Sequence, residues 1–357
     1  MPDLPRTTRP RSARTALAAG AALLACLTPA LPAAAAPATP YGAGAATASP
    51  ASAPPEAGYP DPRPLTGHTV VHDPSAIRLK DGTLIVYATH AGLEAHVSRD
   101  GKHWGRAGSA FETVPDWWRT YSAEGDAWAP ELVYRNGTYW LYYAVSSFGS
   151  NNSAIGLATS PTGRPGSWTD HGKIFASSTA DKYNAIDPGI VESRGKLWMA
   201  FGSFWTGIYM IELDPRTGRP AATGDDLTKY HLATRPDAPH AVEAPYVVKH
   251  GRYYYLFVSY DRCCAGTDST YNIRVGRATK PTGPYTDREV TPMTEGGGTL
   301  LLKGHGRYIG PGGQSVLKDR GRYLLIHHYY DAEDNGTPKL GINSLAWGHD
   351  GWPSVAP

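Results

Sequence analysis

Five tight-turn dipeptides divide this chain: Asp81-Gly82, Asn136-Gly137, Arg194-Gly195, His250-Gly251 and Arg320-Gly321. Each is followed by strand text rich in aromatic and aliphatic residues, such as Thr138 to Val145, Lys196 to Phe201, Tyr253 to Val258 and Tyr323 to Tyr329. Helical periodicity is scarce, and short strands punctuated by regular turn signals indicate an all-β fold. A third strand follows in each unit, as at Ala154–Ala158 and Tyr271–Gly276, and then a closing segment with Trp or Tyr. Four strands per unit with a period near 57 residues predict a five-bladed β-propeller. In such a fold the innermost strand of every blade lines the central channel, so a residue at its start faces a shared pit.

Acidic strings recur at that point of the repeat: His72-Asp73-Pro74, Ala129-Pro130-Glu131, Ile186-Asp187-Pro188 and Glu243-Ala244-Pro245. Their acids are spaced by 58, 56 and 56 residues, and in the fifth unit Gln314 takes the acid's place. Acid-Pro pairs also form turns, so one alone says little. Several in phase predict carboxylates converging from distant parts of the chain. An aromatic-lined pit of this kind suits glycoside hydrolysis, which needs one protonated carboxyl and one ionised carboxylate. A third carboxylate nearby would raise the acid's pKa by repulsion.

The 357 residues do not all belong to that repeat. Residues 1–36 combine Arg6, Arg9, Arg11 and Arg14 with an Ala/Leu-rich stretch and a small-residue exit, the pattern of a secretory signal peptide. Leu23-Leu24-Ala25-Cys26 leaves open a lipoprotein anchored through Cys26. Residues 37–64, mostly Ala, Pro, Gly, Ser and Thr, read as a disordered linker. Residues 65–357 form one catalytic domain. Without the leader, 30 basic and 31 acidic residues remain, so the formal charge changes from +2 to −1. That balance, with no basic run, argues against nucleic acid and for a neutral ligand. A membrane enters only if Cys26 is lipidated, and the protein is expected to be a secreted, extracellular monomer. Of three cysteines, Cys263 and Cys264 remain adjacent, and an oxidising compartment favours a bridge between them.

The motifs His72-Asp73-Pro74-Ser75, Trp128-Ala129-Pro130-Glu131, Asn184-Ala185-Ile186-Asp187-Pro188, Gly202-Ser203-Phe204-Trp205-Thr206-Gly207 and Glu243-Ala244-Pro245-Tyr246 resemble those of glycoside hydrolase family 43. Phe148 to Leu157 and Cys263 to Tyr271 are similar to the endo-α-1,5-L-arabinanases within it. The resemblance covers residues 65–345 and implies a five-bladed, inverting enzyme acting on arabinan. It implies that Asp73 is the general base, that Glu243 is the general acid, and that Asp187 tunes and orients Glu243. Inversion further implies base and acid carboxyls roughly 6.5–9.5 Å apart. Glu131, where many relatives have Asp, reads as structural.

Around these acids, Trp128, Phe148 and Trp205 are candidates for stacking on furanose faces. Asn184 and Ser203 are candidates for bonds to sugar hydroxyls, with Ala185, Ile186 and Phe204 beside them, and Gly149 would let backbone approach the substrate. Trp104, Trp140, Trp168 and Trp198 are expected to pack within blades. No cofactor is required for the chemistry. Many arabinanases hold an axial hydrated metal, usually calcium, through a His where this chain has Gly313, so the resemblance leaves that ion doubtful, with His328 the remaining candidate ligand. An exo-acting arabinofuranosidase or β-xylosidase on the same scaffold is the alternative activity. A non-catalytic carbohydrate-binding propeller is the alternative of another class, and it would be expected to lack Asp73 or Glu243.

Overall fold

The computed structural model describes residues 58–356, which form five sheets, antiparallel except for the pairing of β1 with β5 in the first. Blade 1 holds β1 (Thr66–Gly67), β2 (Ser75–Arg78), β3 (Leu84–Ala88), β4 (Glu94–Ser98) and β5 (His103–Ser109). Blade 2 holds β6 (Trp128–Arg135), β7 (Thr138–Val145), β8 (Ser153–Ser160) and β9 (Thr169–Ser177). Blade 3 runs through β10 (Gly189–Ser193), β11 (Lys196–Phe201), β12 (Ile208–Leu213) and β13 (Tyr230–Ala233). Blade 4 has β14 (Val242–His250), β15 (Tyr253–Tyr260), β16 (Asn272–Ala278) and β17 (Thr299–Lys303), and blade 5 has β18 (Tyr308–Asp319), β19 (Arg322–Asp331), β20 (Thr337–Trp347) and β21 (Pro353–Ala356). The inner strands touch in a closed ring, β2 to β6, β10, β14, β18 and back to β2. The molecule is the five-bladed β-propeller that the repeat predicts.

Strand alternation explains why so many residues are apolar. Along β7, Tyr139, Leu141, Tyr143 and Val145 point into the core shared with blade 1, whereas Trp140 and Tyr142 point into the core shared with blade 3. Side chains on successive residues face opposite sides of a sheet, so a blade packed on both faces needs apolar residues at every position. Trp104, Trp140 and Trp198 are buried in these interblade cores, and Trp168 packs against one of them, its indole N–H donating to Tyr87 Oη at 2.8 Å. Asn136-Gly137, Arg194-Gly195 and Arg320-Gly321 all have two positive φ values, the conformation that joins strands by a two-residue hairpin.

The ring closes in two ways. Arg78 grips Asp319 through two bonds of 2.6 and 2.7 Å, linking β2 to β18 at the foot of the channel. The segment before β2 pairs with both terminal blades: β1 runs parallel to β5, while on β20 Ile342 O accepts from Arg63 N and Leu340 N donates to Thr69 O. Asn343 Nδ2 also holds the carbonyls of Pro60 and Asp61. The ordered domain thus reaches back to at least Tyr59, earlier than the linker boundary at residue 64, because the last residues of that stretch satisfy the exposed side of blade 5. The signal peptide, Cys26 and the rest of the linker lie outside the described residues. Among those described, no helix is long and apolar enough to cross a membrane.

Candidate active site

One residue per blade sits at the channel mouth with its backbone in the left-handed region: Asp73 (φ 47°), Ala129 (42°), Asp187 (56°), Ala244 (52°) and Gly313 (57°). For residues other than Gly this conformation costs about 1–2 kcal/mol. It recurs because a bulge there turns the inner strand toward the axis. The ladders of β6, β14 and β18 all shift register at this point. In the first four blades Pro follows, which has no N–H to lose from the ladder.

This alignment changes the phase read from the acids. Asp73 and Asp187 are true equivalents, but Glu243 stands one residue earlier, at the position of His72, and Glu131 stands two later than the left-handed residue of its blade. Gln314 is equivalent to Pro74, so the residue replacing the acid in blade 5 is Gly313. Only Gly fits there: an added Cβ would lie 2.3 Å from Asp73 Oδ1 and 2.8 Å from His328 Nδ1.

Asp73, Asp187, Ala244, Gly313, Gln314 and Glu131 line a cavity of about 30 Å³, room for one or two waters. The three proposed catalytic carboxyls converge on this mouth in two different surroundings. Around Asp73, Thr89 Oγ1 donates to Oδ2 at 2.7 Å, and His72 Nδ1 lies 2.8 Å from the same oxygen. Thr89 is aimed by Ala129 N, which donates to its oxygen at 2.8 Å. Burial alone would raise the Asp73 carboxyl, but the imidazole of His72 with its hydrogen bond, then the imidazole of His328 and the Thr89 bond, together hold it well below the usual carboxylate range.

His72 acts on Glu243 only as the least of its influences, and no basic group acts on Asp187. Burial pushes the Glu243 carboxyl up, and Asp73 adds repulsion, against the opposing bonds from Ser203 Oγ to Oε2 (2.6 Å) and from Tyr271 Oη to Oε1 (2.7 Å). Asp187 is raised further, first by burial and then by the charges of Glu243 and Asp73, with one bond from Ala244 N at 3.0 Å opposing. One ionised carboxylate therefore faces two carboxyls that favour protonation. Gln314 braces the strand between them: its Nε2 donates to Ala244 O at 2.6 Å and its Oε1 accepts from Ser259 Oγ at 2.7 Å.

Glu131 is buried below the mouth, where Ser75 Oγ donates to Oε2 at 3.0 Å and Ile190 N approaches Oε1 at 3.5 Å. Burial pushes its carboxyl up to about 8. Its partners come from blades 1 and 3, so it joins blades across the channel.

The substrate candidates separate by exposure. Phe148 is 85% exposed, beside the exposed Gly149. Trp128, Phe204 and Trp205 are partly exposed, the last two in a turn with φ of 53° and 45°. Ala185, by contrast, is completely buried in the core between blades 2 and 3, which leaves it no surface for a sugar. Ile186 is nearly as deep, and Asn184 is buried with Nδ2 donating to Ser150 O at 3.4 Å and Oδ1 unpaired. Ser203 is buried and spends its hydroxyl on Glu243 rather than pointing at solvent. Sequence reasoning missed Tyr271 as a partner of Glu243, although it ends the Cys263–Tyr271 motif; its ring arrives from the strand next but one to Glu243.

The axial calcium meets a poor ligand set. Nitrogens of His72 and His328 and an oxygen of Asp73 lie within 4.8 Å of one another. The facing atoms are already engaged, however. His328 Nδ1 accepts from Asp73 N at 3.1 Å, so the neutral ring carries its proton on Nε2. Burial and the neighbouring His72 keep that ring neutral. Its Nε2 is buried without a protein partner, and an N–H there calls for a water rather than a cation. Gly313 brings no side chain. As held here, these residues do not fit a directly ligated metal, and no step below uses one. His327, on the opposite face of β19, is spent on Asn343 Oδ1 at 2.9 Å.

Comparison with known proteins agrees with the geometry. The pattern of the family "Glycosyl hydrolases family 43" matches residues 65–353. An extracellular endo-α-(1→5)-L-arabinanase of Bacillus subtilis (strain 168) is 44% identical over 291 residues, covering 80% of this chain and 87% of that protein. An extracellular exo-α-(1→5)-L-arabinofuranosidase of Cellvibrio japonicus (strain Ueda107) is 39% identical over 299 residues, covering 80% and 86%. The solved structure of a family 43 endo-arabinanase from Bacillus licheniformis superposes with a TM-score of 0.76 at 46% identity, covering 82% of this chain and 99% of that one. A propeller that gathers one carboxyl held low and two pushed up at its mouth, matched by that family over nearly all its described length, places this chain in glycosyl hydrolases family 43 as a glycoside hydrolase.

Proposed function

We propose that this enzyme is secreted and cleaves internal α-1,5-L-arabinofuranosidic bonds of arabinan with inversion. The observation that carries the reading is the contrast in one pit between Asp73, bonded by His72 and Thr89 and pushed down, and Glu243, bonded only by Ser203 and Tyr271 and pushed up, the pairing that a single displacement by water requires. Asp73, held ionised, takes the proton of the attacking water, and Glu243 gives its proton to the leaving glycosidic oxygen. Asp187 keeps Glu243 protonated by sharing its low-dielectric pocket and holds the backbone of Ala244 beside it. Exposed Phe148 and partly exposed Trp128 and Trp205 offer apolar faces for furanose rings on either side.

Arabinan as the substrate is supported by the endo- and exo-acting relatives, and secretion by their extracellular designation. Product analysis on linear arabinan tests the cleavage pattern. A ladder of oligosaccharides at early times is the expected result, arabinose alone indicates exo action, and no product at all defeats the arabinanase reading. The first-formed reducing ends should carry the anomeric configuration opposite to that of the bond cleaved, read by proton NMR; retention would exclude a single displacement. Glu243→Ala should lose about 10²- to 10⁴-fold on arabinan and much less on an aryl arabino-oligosaccharide, whose leaving group needs little protonation.

A further inference from the structure

The vicinal pair Cys263–Cys264 is disulfide-bonded, and the turn carrying it lies against the Asp73 side of the site rather than near solvent alone. Cys264 N donates to Tyr330 Oη at 2.8 Å. Tyr330 Oη lies 2.9 Å from His72 Nε2, and His72 Nδ1 lies 2.8 Å from Asp73 Oδ2. Cys264 Sγ itself approaches His72 Nε2 at 3.8 Å. Blades 4, 5 and 1 each supply a link of this chain.

Hydrogen-bond bookkeeping gives the chain a direction. A carboxylate can only accept, so the nitrogen facing Asp73 must carry a proton. In a neutral imidazole the other nitrogen is then an acceptor and needs a donor. Tyr330 Oη is the only hydroxyl at that nitrogen among the described contacts, and its own oxygen already accepts the Cys264 N–H, which leaves its proton free for His72. His72 is further clamped by stacking on His328, with ring centroids 3.8 Å apart and planes inclined by 25°.

We propose that Tyr330 and the Cys263–Cys264 turn are positioning residues for the hydrolytic reaction: they hold His72 in the tautomer whose Nδ1–H fixes the Asp73 carboxylate for attack by water. The disulfide suits this task because the donor is a backbone N–H in an exposed loop. Cys264 sits at φ 62°, a conformation that residues with a Cβ resist, and the covalent ring keeps it there. Cross-bonds between Arg262 and Thr270, and from Ala265 N to Ser269 Oγ, seat the rest of the turn. Neither Tyr330 nor the cysteines bond to Glu243, whose partner Tyr271 follows the turn beyond the Arg262–Thr270 bonds, so the effect is assigned to the base.

The inference rests on the proposed arabinanase reading for its kinetic arm, and a spectroscopic arm keeps it independent. The full enzyme is treated with a phosphine, which with one water converts the disulfide to two thiols and leaves as its oxide; alkylation of Cys263 and Cys264 confirms the reaction. On arabino-oligosaccharides kcat should fall about 10-fold with KM within about twofold, the mark of a misplaced reacting group. The fall should be equal on the aryl substrate, because both need the base. Tyr330→Phe should reproduce the loss and should be insensitive to reduction. Unchanged kcat on reduction, a loss confined to KM, or a Tyr330→Phe enzyme that loses activity again when reduced would each overturn the proposal. In the ring-¹⁵N spectrum, His72, assigned by its disappearance in His72→Gln, should be the neutral Nδ1–H form, shifting toward a mixture on reduction or in Tyr330→Phe. An Nε2–H or imidazolium form in the oxidised enzyme would overturn it, whether or not arabinan is cleaved.

Discussion

The two sides of the channel mouth treat the same functional group in opposite ways. On the side of blades 1 and 5, Asp73 is surrounded by donors, Thr89 and His72, and by a second imidazole. On the side of blades 3 and 4, Glu243 and Asp187 share a partly exposed pocket with each other and with neutral hydroxyls. Burial acts on all three and by itself would protonate all three. The difference comes from the partners: an imidazole can offset the cost of a buried charge, whereas a serine and a tyrosine offset only part of it. A propeller supplies both surroundings at once because each blade brings its own neighbours to a common axis.

The largest break in this contrast is expected from Asp73→Asn, which removes the proton acceptor and leaves the shape. Turnover should fall about 10³-fold, and equally on arabinan and on a substrate with an activated leaving group. A variant spared on the activated substrate would place Asp73 on the acid side instead.

A smaller effect is expected from Tyr271→Phe, which sharpens the account of the acid. The Tyr271 hydroxyl donates to Glu243 and so favours its charged form. Without it the carboxyl holds its proton to higher pH, so the alkaline limb of the kcat profile should move up, while the acidic limb, set by Asp73, stays in place. A downward shift of the alkaline limb would show that Tyr271 instead stabilises the protonated form.

The smallest effect on rate is expected at Glu131, whose contribution is to stability. Burial, the leading cause, pushes its carboxyl up to about 8 in the fold, from an ordinary 4.5. The protonated acid's stabilisation is therefore complete below about pH 4.5 and is lost as pH rises through about 8. Glu131→Gln, neutral at every pH, should remove that slope and be more stable than the parent at pH 9 by a few kcal/mol. Melting temperatures at pH 5 and pH 9 check this, and equal slopes for the two proteins would show that Glu131 is ionised in the fold.

Much of this was legible in the linear chain. The turn dipeptides and aromatic runs marked the hairpins, and Lys196–Phe201 and Thr138–Val145 are strands over just those residues. The strings around Asp73, Asp187 and Glu243 marked the mouth. The register of those acids was not legible, because equivalence between blades is set by the sign of φ at the bulge, and Asp73, Ala129, Asp187, Ala244 and Gly313 share no side-chain chemistry. The burial of Ala185 and Ser203 was not legible for a related reason: sequence proximity to an acid does not say which face of the loop is turned inward.

The repeat and its residue types by themselves determined the architecture and the gathering of acids at the channel mouth, since strand alternation and turn chemistry are local. Their protonation was decided only in the tertiary structure. Asp73 and Asp187 are the same residue type at the same point of the same repeat, each followed by proline. Asp73 meets His72 and Thr89 of its own blade and His328 of blade 5, while Asp187 meets Glu243 of blade 4, and only the closed propeller brings His328 and Glu243 into place.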